Sequence, residues 1–211
     1  MKLNTFYLFG LLILSSIILG VLLDKIILTD EVLVNGFYNQ LSLSKIEELI
    51  DYKARLSWIN YMVLPVFYFV KILLIGIWIL SWTIFFGHKI SFREILRVVI
   101  KAEFVWLIPS LITLIWFHFI DTSYTLVDIQ YFQPLSLLNF FSVSEVENWL
   151  IFPLQALSLF QVAYIIFLAI GIKQVLSTNY NAALTFTIPV YGSALITWIV
   201  FITFLSMNLA A

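Results

Sequence analysis

The sequence has no cysteine, which excludes a disulfide scaffold, a cysteine-ligated zinc site and a cysteine nucleophile together. Charge is scarce as well. Asp, Glu, Lys and Arg make up 11% of the 211 residues, against about 25% in ordinary soluble domains. The formal net charge is −1, so the chain lacks the basic footprint that nucleic acid requires. No glycine-rich phosphate cradle or nucleotide motif is present. What remains is apolar. Hydrophobic residues reach 63%, aromatics 18%, and mean hydropathy is +1.05. A soluble fold of this size cannot hide that much apolar surface, so lipid is the solvent for most of the chain.

A bilayer core of about 30 Å takes roughly 20 helical residues to cross. Five segments qualify: residues 6–23, 58–86, 102–120, 149–171 and 182–207. Their apolar runs are continuous rather than alternating, which excludes a transmembrane barrel and leaves helices. The first run is longer than a secretory h-region and no small-x-small site follows it, so it reads as a retained span. The expected fold class is therefore all-α, a polytopic bundle of five transmembrane helices. The chain divides into residues 1–57, the first span with an extracytoplasmic amphipathic segment, and residues 58–211, a four-span membrane domain.

Basic residues set the orientation. Lys89, Arg93, Arg97 and Lys101 lie between spans two and three, whereas residues 121–148 contain neither lysine nor arginine. An odd number of spans then places the N-terminus inside and the C-terminus outside. The first loop departs from the rule, holding Lys25, Lys45, Lys53 and Arg55 among six acidic residues.

Two capping-box patterns open amphipathic stretches, Ser44-Lys45-Ile46-Glu47 and Ser91-Phe92-Arg93-Glu94. The first predicts a short helix lying on the outer leaflet or on the bundle and leading into span two. The second carries Arg93, Arg97 and Lys101 as one basic stripe, expected at the inner surface as a lipid-anchored entrance to span three. A docking site for a cytosolic partner is the alternative. The aromatic-rich residues 121–148 are expected to embed in the outer interface, with residues 134–138 as a short re-entrant or interfacial helix.

Catalytic constellations are missing. His88 and His118 fall at opposite ends of span three and cannot share a metal. Gly192-Ser193 is followed by Ala194 with no histidine at hand, Glu47-Glu48 sits in a loop, and every aspartate is outside the spans. No catalytic, cofactor-binding or metal-binding residue is assigned. Two intramembrane charges remain, Lys71 and Glu103, candidates because burying them is costly. Placed by span boundaries alone, Lys71 lies near the outer surface and Glu103 near the inner one, so the two are not expected to pair. Gln155 and Gln161 in span four read as interhelical hydrogen-bond formers. Pro65, Pro109, Pro153 and Pro189 mark four spans with kinks.

Two local patterns resemble the Yip1 family of five-span membrane proteins. One is the lead-in Ile90-Ser91-Phe92-Arg93-Glu94-Ile95-Leu96-Arg97 running to Ile108-Pro109. The other is Ser158-Leu159-Phe160-Gln161, the apolar run to Gly171-Ile172, then Ser177 and Ala182-Ala183. The resemblance covers residues 58–204 and departs from the family at Ala163, where tryptophan is frequent. It implies a non-enzymatic protein that assembles with itself or with other membrane proteins. The long cytosolic N-terminal region of eukaryotic members has no counterpart, so a bacterial cytoplasmic membrane is the expected home. The sequence thus predicts a membrane scaffold or accessory protein whose partners are the lipid bilayer and other membrane proteins. The alternative is a small transporter or channel subunit using Lys71 and the polar residues of the kinked spans.

Overall fold

A computed structural model describes residues 4–38 and 40–209. It is helical, with no strand among the described residues. The helices are α1 (Thr5–Ile26), α2 (Asp30–Phe37), α3 (Leu43–Phe85), α4 (Phe92–Glu103), α5 (Leu107–Ile115), α6 (Leu126–Tyr131), α7 (Asn148–Ala156), α8 (Leu159–Leu176) and α9 (Tyr180–Leu209). Five helical stretches are long and apolar enough to cross a membrane: Thr5–Ile26, Leu43–Phe85, Phe92–Ile120, Leu159–Leu176 and Tyr180–Asn208. The chain is a multi-pass membrane protein.

Three boundaries differ from those expected. The amphipathic segment after Ser42 is no separate interfacial helix, because α3 runs unbroken for 43 residues from Leu43 through Pro65. Nothing in residues 43–58 breaks helical hydrogen bonding, and Ile46 is buried. The basic segment likewise is no surface entrance. Ser91 and Glu94 form the reciprocal cap, with the Ser91 N–H donating to Glu94 Oε2 at 3.2 Å. The helix they start continues through a 3₁₀ turn (Phe104–Trp106) into α5 and a closing π turn at Trp116–Ile120. Span three thus begins ten residues before the expected 102, and Ile95, Val98, Val99 and Ile100 all lie in the core.

The third difference is a break. Span four, expected as one helix over 149–171, is split between α7 and α8 at Leu157 and Ser158, both extended. Lipid cannot satisfy the freed backbone groups; the long loop does. Leu137 N–H donates to the Leu157 carbonyl at 2.9 Å, and Leu159 N–H to the Leu135 carbonyl at 3.0 Å. Residues 134–136 are therefore a turn closing on a single extended bridge at Ser136 rather than the helix expected there, with Leu135 in the left-handed region (φ 56°) and a 3₁₀ turn starting only at Leu137. Elsewhere the loop folds back on span three. Phe117, buried, packs against Tyr124 and Phe132 at 4.8 and 4.9 Å between ring centroids. The Tyr124 hydroxyl donates to the Ile27 carbonyl at 3.0 Å, and burial raises its pKa above the usual phenol value.

Helix α4 sits at the centre, packed against α1, α3 and α8, while α8 packs on α9. The α4–α8 contact is close because Gly171 faces Val98: any Cβ there would collide with the valine side chain. At Gly192 a Cβ would meet nothing within 4 Å. Both substitutions to alanine gain helix propensity of up to about 1 kcal/mol. Gly171→Ala should nonetheless destabilise, with overpacking of about 1–3 kcal/mol, while Gly192→Ala is neutral or stabilising. Unfolding in mixed detergent micelles, followed by tryptophan fluorescence, reads the opposite signs.

Candidate functional site

The two intramembrane charges meet. Lys71 Nζ donates to Glu103 Oε2 at 2.8 Å, which overturns the expectation that they lie at opposite surfaces. The reason is the antiparallel packing of α3 and α4 around the turn at residues 86–91. Lys71 is 14 residues from the end of α3 and Glu103 is 11 from the start of α4, or about 21 and 17 Å of helix rise. Counted from the connecting turn, the two are nearly level. The misplacement came from starting span three at 102, which put Glu103 at the start of its span instead of eleven residues into it.

Glu103 is fully buried, whereas 29% of the Lys71 side chain is exposed. The second carboxylate oxygen is also taken: the Tyr164 hydroxyl donates to Glu103 Oε1 at 2.8 Å. Aromatic faces surround the ammonium, with ring centroids at 5.1 Å for Trp106, 5.9 Å for Tyr164 and 6.0 Å for Tyr68. A cation over aromatic faces gains about 0.5–2 kcal/mol from the ring quadrupoles, the more the less solvated it is. Beside this cluster the Gln161 amide donates to the Tyr191 hydroxyl at 2.6 Å, joining α8 to α9, and the Tyr164 and Tyr191 rings lie 5.0 Å apart. The chain therefore ties α3, α4, α8 and α9 together through one polar seam.

Gln161 thus fills the interhelical role expected of it. Gln155 does not, since on α7 it makes no side-chain hydrogen bond among the described residues. Arg93 and Lys101 are exposed and Arg97 half-buried along α4, and none forms an ion pair among the described residues. No group of three or more His, Cys, Asp or Glu side chains able to hold a metal occurs among the described residues.

The sequence reading missed Tyr68, Trp106, Tyr164 and Tyr191. Three were within reach of a simple rule. Tyr68 and Lys71, Glu103 and Trp106, and Gln161 and Tyr164 are each three residues apart, so each pair shares a helix face. The break before α8 also had its signal. Ser158-Leu159-Phe160-Gln161 has the spacing of a capping box, and the Ser158 hydroxyl does accept from the Gln161 N–H at 3.3 Å.

No family model matches the chain, and no curated protein or solved structure matches it either.

Removing one partner of a buried ion pair costs about 3–5 kcal/mol, because the other charge stays behind unpaired; replacing both with apolar residues is often neutral. Lys71→Ala should therefore destabilise strongly, and the double variant Lys71→Met with Glu103→Leu should recover most of the loss. Tyr164→Phe removes one charge-assisted hydrogen bond, worth about 1.5–3 kcal/mol. Retention of a folded, monodisperse peak after heating in detergent checks the order of the three.

Proposed function

We propose that this chain is a membrane scaffold or accessory protein that works through helix contacts rather than bond-making. It adopts the five-span plan of the Yip1 family in a bacterial cytoplasmic membrane, with the N-terminus inside and the C-terminus outside. The observation that carries this reading is the closure of the polar seam. Both oxygens of Glu103 are engaged by Lys71 and Tyr164, and Gln161 is spent on Tyr191. Groups so paired fix how helices pack.

The outward surface supports the same reading. Along the second half of α9, Ile196, Val200 and Phe204 recur every four residues and are each more than 60% exposed, with Met207 continuing the row. Such a stripe suits packing against another apolar helix. The basic residues Lys89 and Arg93, at the turn between α3 and α4, favour the cytoplasmic placement of that end.

A second reading, a small transporter or channel subunit, draws on a separate observation. The chain breaks its helix at Leu157–Ser158, just before span four and three residues from Gln161 of the seam. Discontinuous helices line the sites of many transporters.

The natural lack of cysteine makes a single reporter clean. Val200→Cys, oxidised in native membranes, should give a discrete disulfide-linked dimer or one larger adduct with the paired apolar variant Lys71→Met/Glu103→Leu as readily as with the charged pair. A monomer under all oxidising conditions overturns the contact reading. Loss of an ion or solute flux in that same double variant would move the assignment to the transporter.

A further inference from the structure

At the end of the bundle where the basic stripe begins, α1, α3 and α4 leave a cleft of about 520 Å³ between them. Its walls are Phe6 and Phe9 from α1, Phe69 and Leu73 from α3, and Leu96 and Ile100 from α4. Phe6 and Phe69 are exposed, so the cleft opens on the outside of the bundle, toward lipid. Two polar groups line it as well. Arg93, the second residue of α4, is exposed and has no carboxylate partner among the described residues. Thr5, the first residue of α1, has a buried hydroxyl with no hydrogen-bond partner among the described residues.

We propose that this cleft is a binding site for an anionic phospholipid, with an acyl chain along the aromatic and aliphatic walls and the phosphate on Arg93 and Thr5. The charge pattern commits the site to that occupant. A guanidinium offers a planar fork of donors that matches phosphate oxygens bidentately, and the Thr5 hydroxyl has no acceptor among the described residues. Both residues stand in the first turns of helices of 22 and 12 residues, whose positive dipole ends add to the attraction. Arg97 and Lys101 follow Arg93 at four-residue spacing on α4 and extend the positive field along the same helix. A basic pocket between spanning helices is the arrangement that holds anionic headgroups in bilayers. The seam of Lys71 and Glu103 contributes no residue to the cleft walls, so the site is independent of the contact reading above.

Native mass spectrometry of the full chain, released from detergent with either phosphatidylglycerol or phosphatidylcholine of identical acyl chains, tests this. The expected result is one tightly retained phosphatidylglycerol, bound at least tenfold more strongly than phosphatidylcholine. Arg93→Gln should erase the preference, Leu73→Trp should reduce binding of both lipids, and Lys173→Gln, exposed on α8 and outside the cleft, should leave the preference unchanged. A diazirine-bearing phosphatidylglycerol on the wild-type chain should label peptides containing Phe6, Phe9 or Leu73, a readout that needs no variant. Equal retention of the two lipids, an equal loss in Lys173→Gln, or labelling confined to other helices would overturn the proposal.

Discussion

A carboxylate inside an apolar bundle needs partners to replace the water it has lost, and Glu103 has one at each oxygen. The Lys71 ammonium neutralises it and the Tyr164 hydroxyl completes its hydrogen bonding. The geometry of the rest follows from holding these groups level. Helices α3 and α4 must run antiparallel from a short turn, and α8 must lie close enough to present Tyr164. That approach is what the absence of a side chain at Gly171 permits against Val98. Tyr191 and Gln161 then set α9 against α8. Replacing a buried ion pair with apolar residues is often neutral in stability. Here the arrangement being fixed is the relative height of four spans that apolar packing alone would leave free to slide.

Irregular backbone in this bundle occurs only where something else completes the hydrogen bonding. The extended pair Leu157 and Ser158 would be intolerable facing lipid, but Leu135 and Leu137 supply the missing partners from the loop. The 3₁₀ turn at Phe104–Trp106 sits just before Pro109, which has no N–H to give the carbonyl of Val105. Tightening the turn there also brings Trp106 onto the same side as Glu103, since residues three apart eclipse in a 3₁₀ helix. The aromatic face over the Lys71 ammonium is therefore a consequence of the proline two residues inside α5.

How much of this could be read beforehand depends on which physical signal each feature leaves. Lipid as solvent leaves the strongest one, and the number of crossing helices and their continuous apolar runs were legible from composition and length. Caps leave a local signal, and the one at Ser91 and Glu94 was read correctly. What hydropathy does not report is where a helix begins when its first turns are amphipathic and yet packed inside. Residues 92–101 carry three basic side chains on one face and Ile95, Val98, Val99 and Ile100 on the others, so an average over the window falls just where the helix is most buried. That one misjudged start hid the ion pair. The insertion of Leu135–Leu137 left no periodic trace, because a backbone-to-backbone contact across 20 residues is written in no side chain.

The polar groups of α9 bear on how a neighbour could recognise this protein. The Thr197 hydroxyl donates to the Ser193 carbonyl, Ser206 to Thr203, and the Asn208 amide to Phe204, all within their own helix. The Thr203 hydroxyl is buried and has no partner among the described residues. A helix arriving at the row of Ile196, Val200 and Phe204 would thus meet few free donors or acceptors. In lipid, apolar burial gives no advantage to one apolar surface over another, since lipid tails are as apolar as leucine. Discrimination along this face must then come from the fit of branched and aromatic side chains. Such fit depends on the face being held in place, and the nearest polar tie on α9 is Tyr191, five residues before Ile196, which accepts from the Gln161 amide and lies against Tyr164.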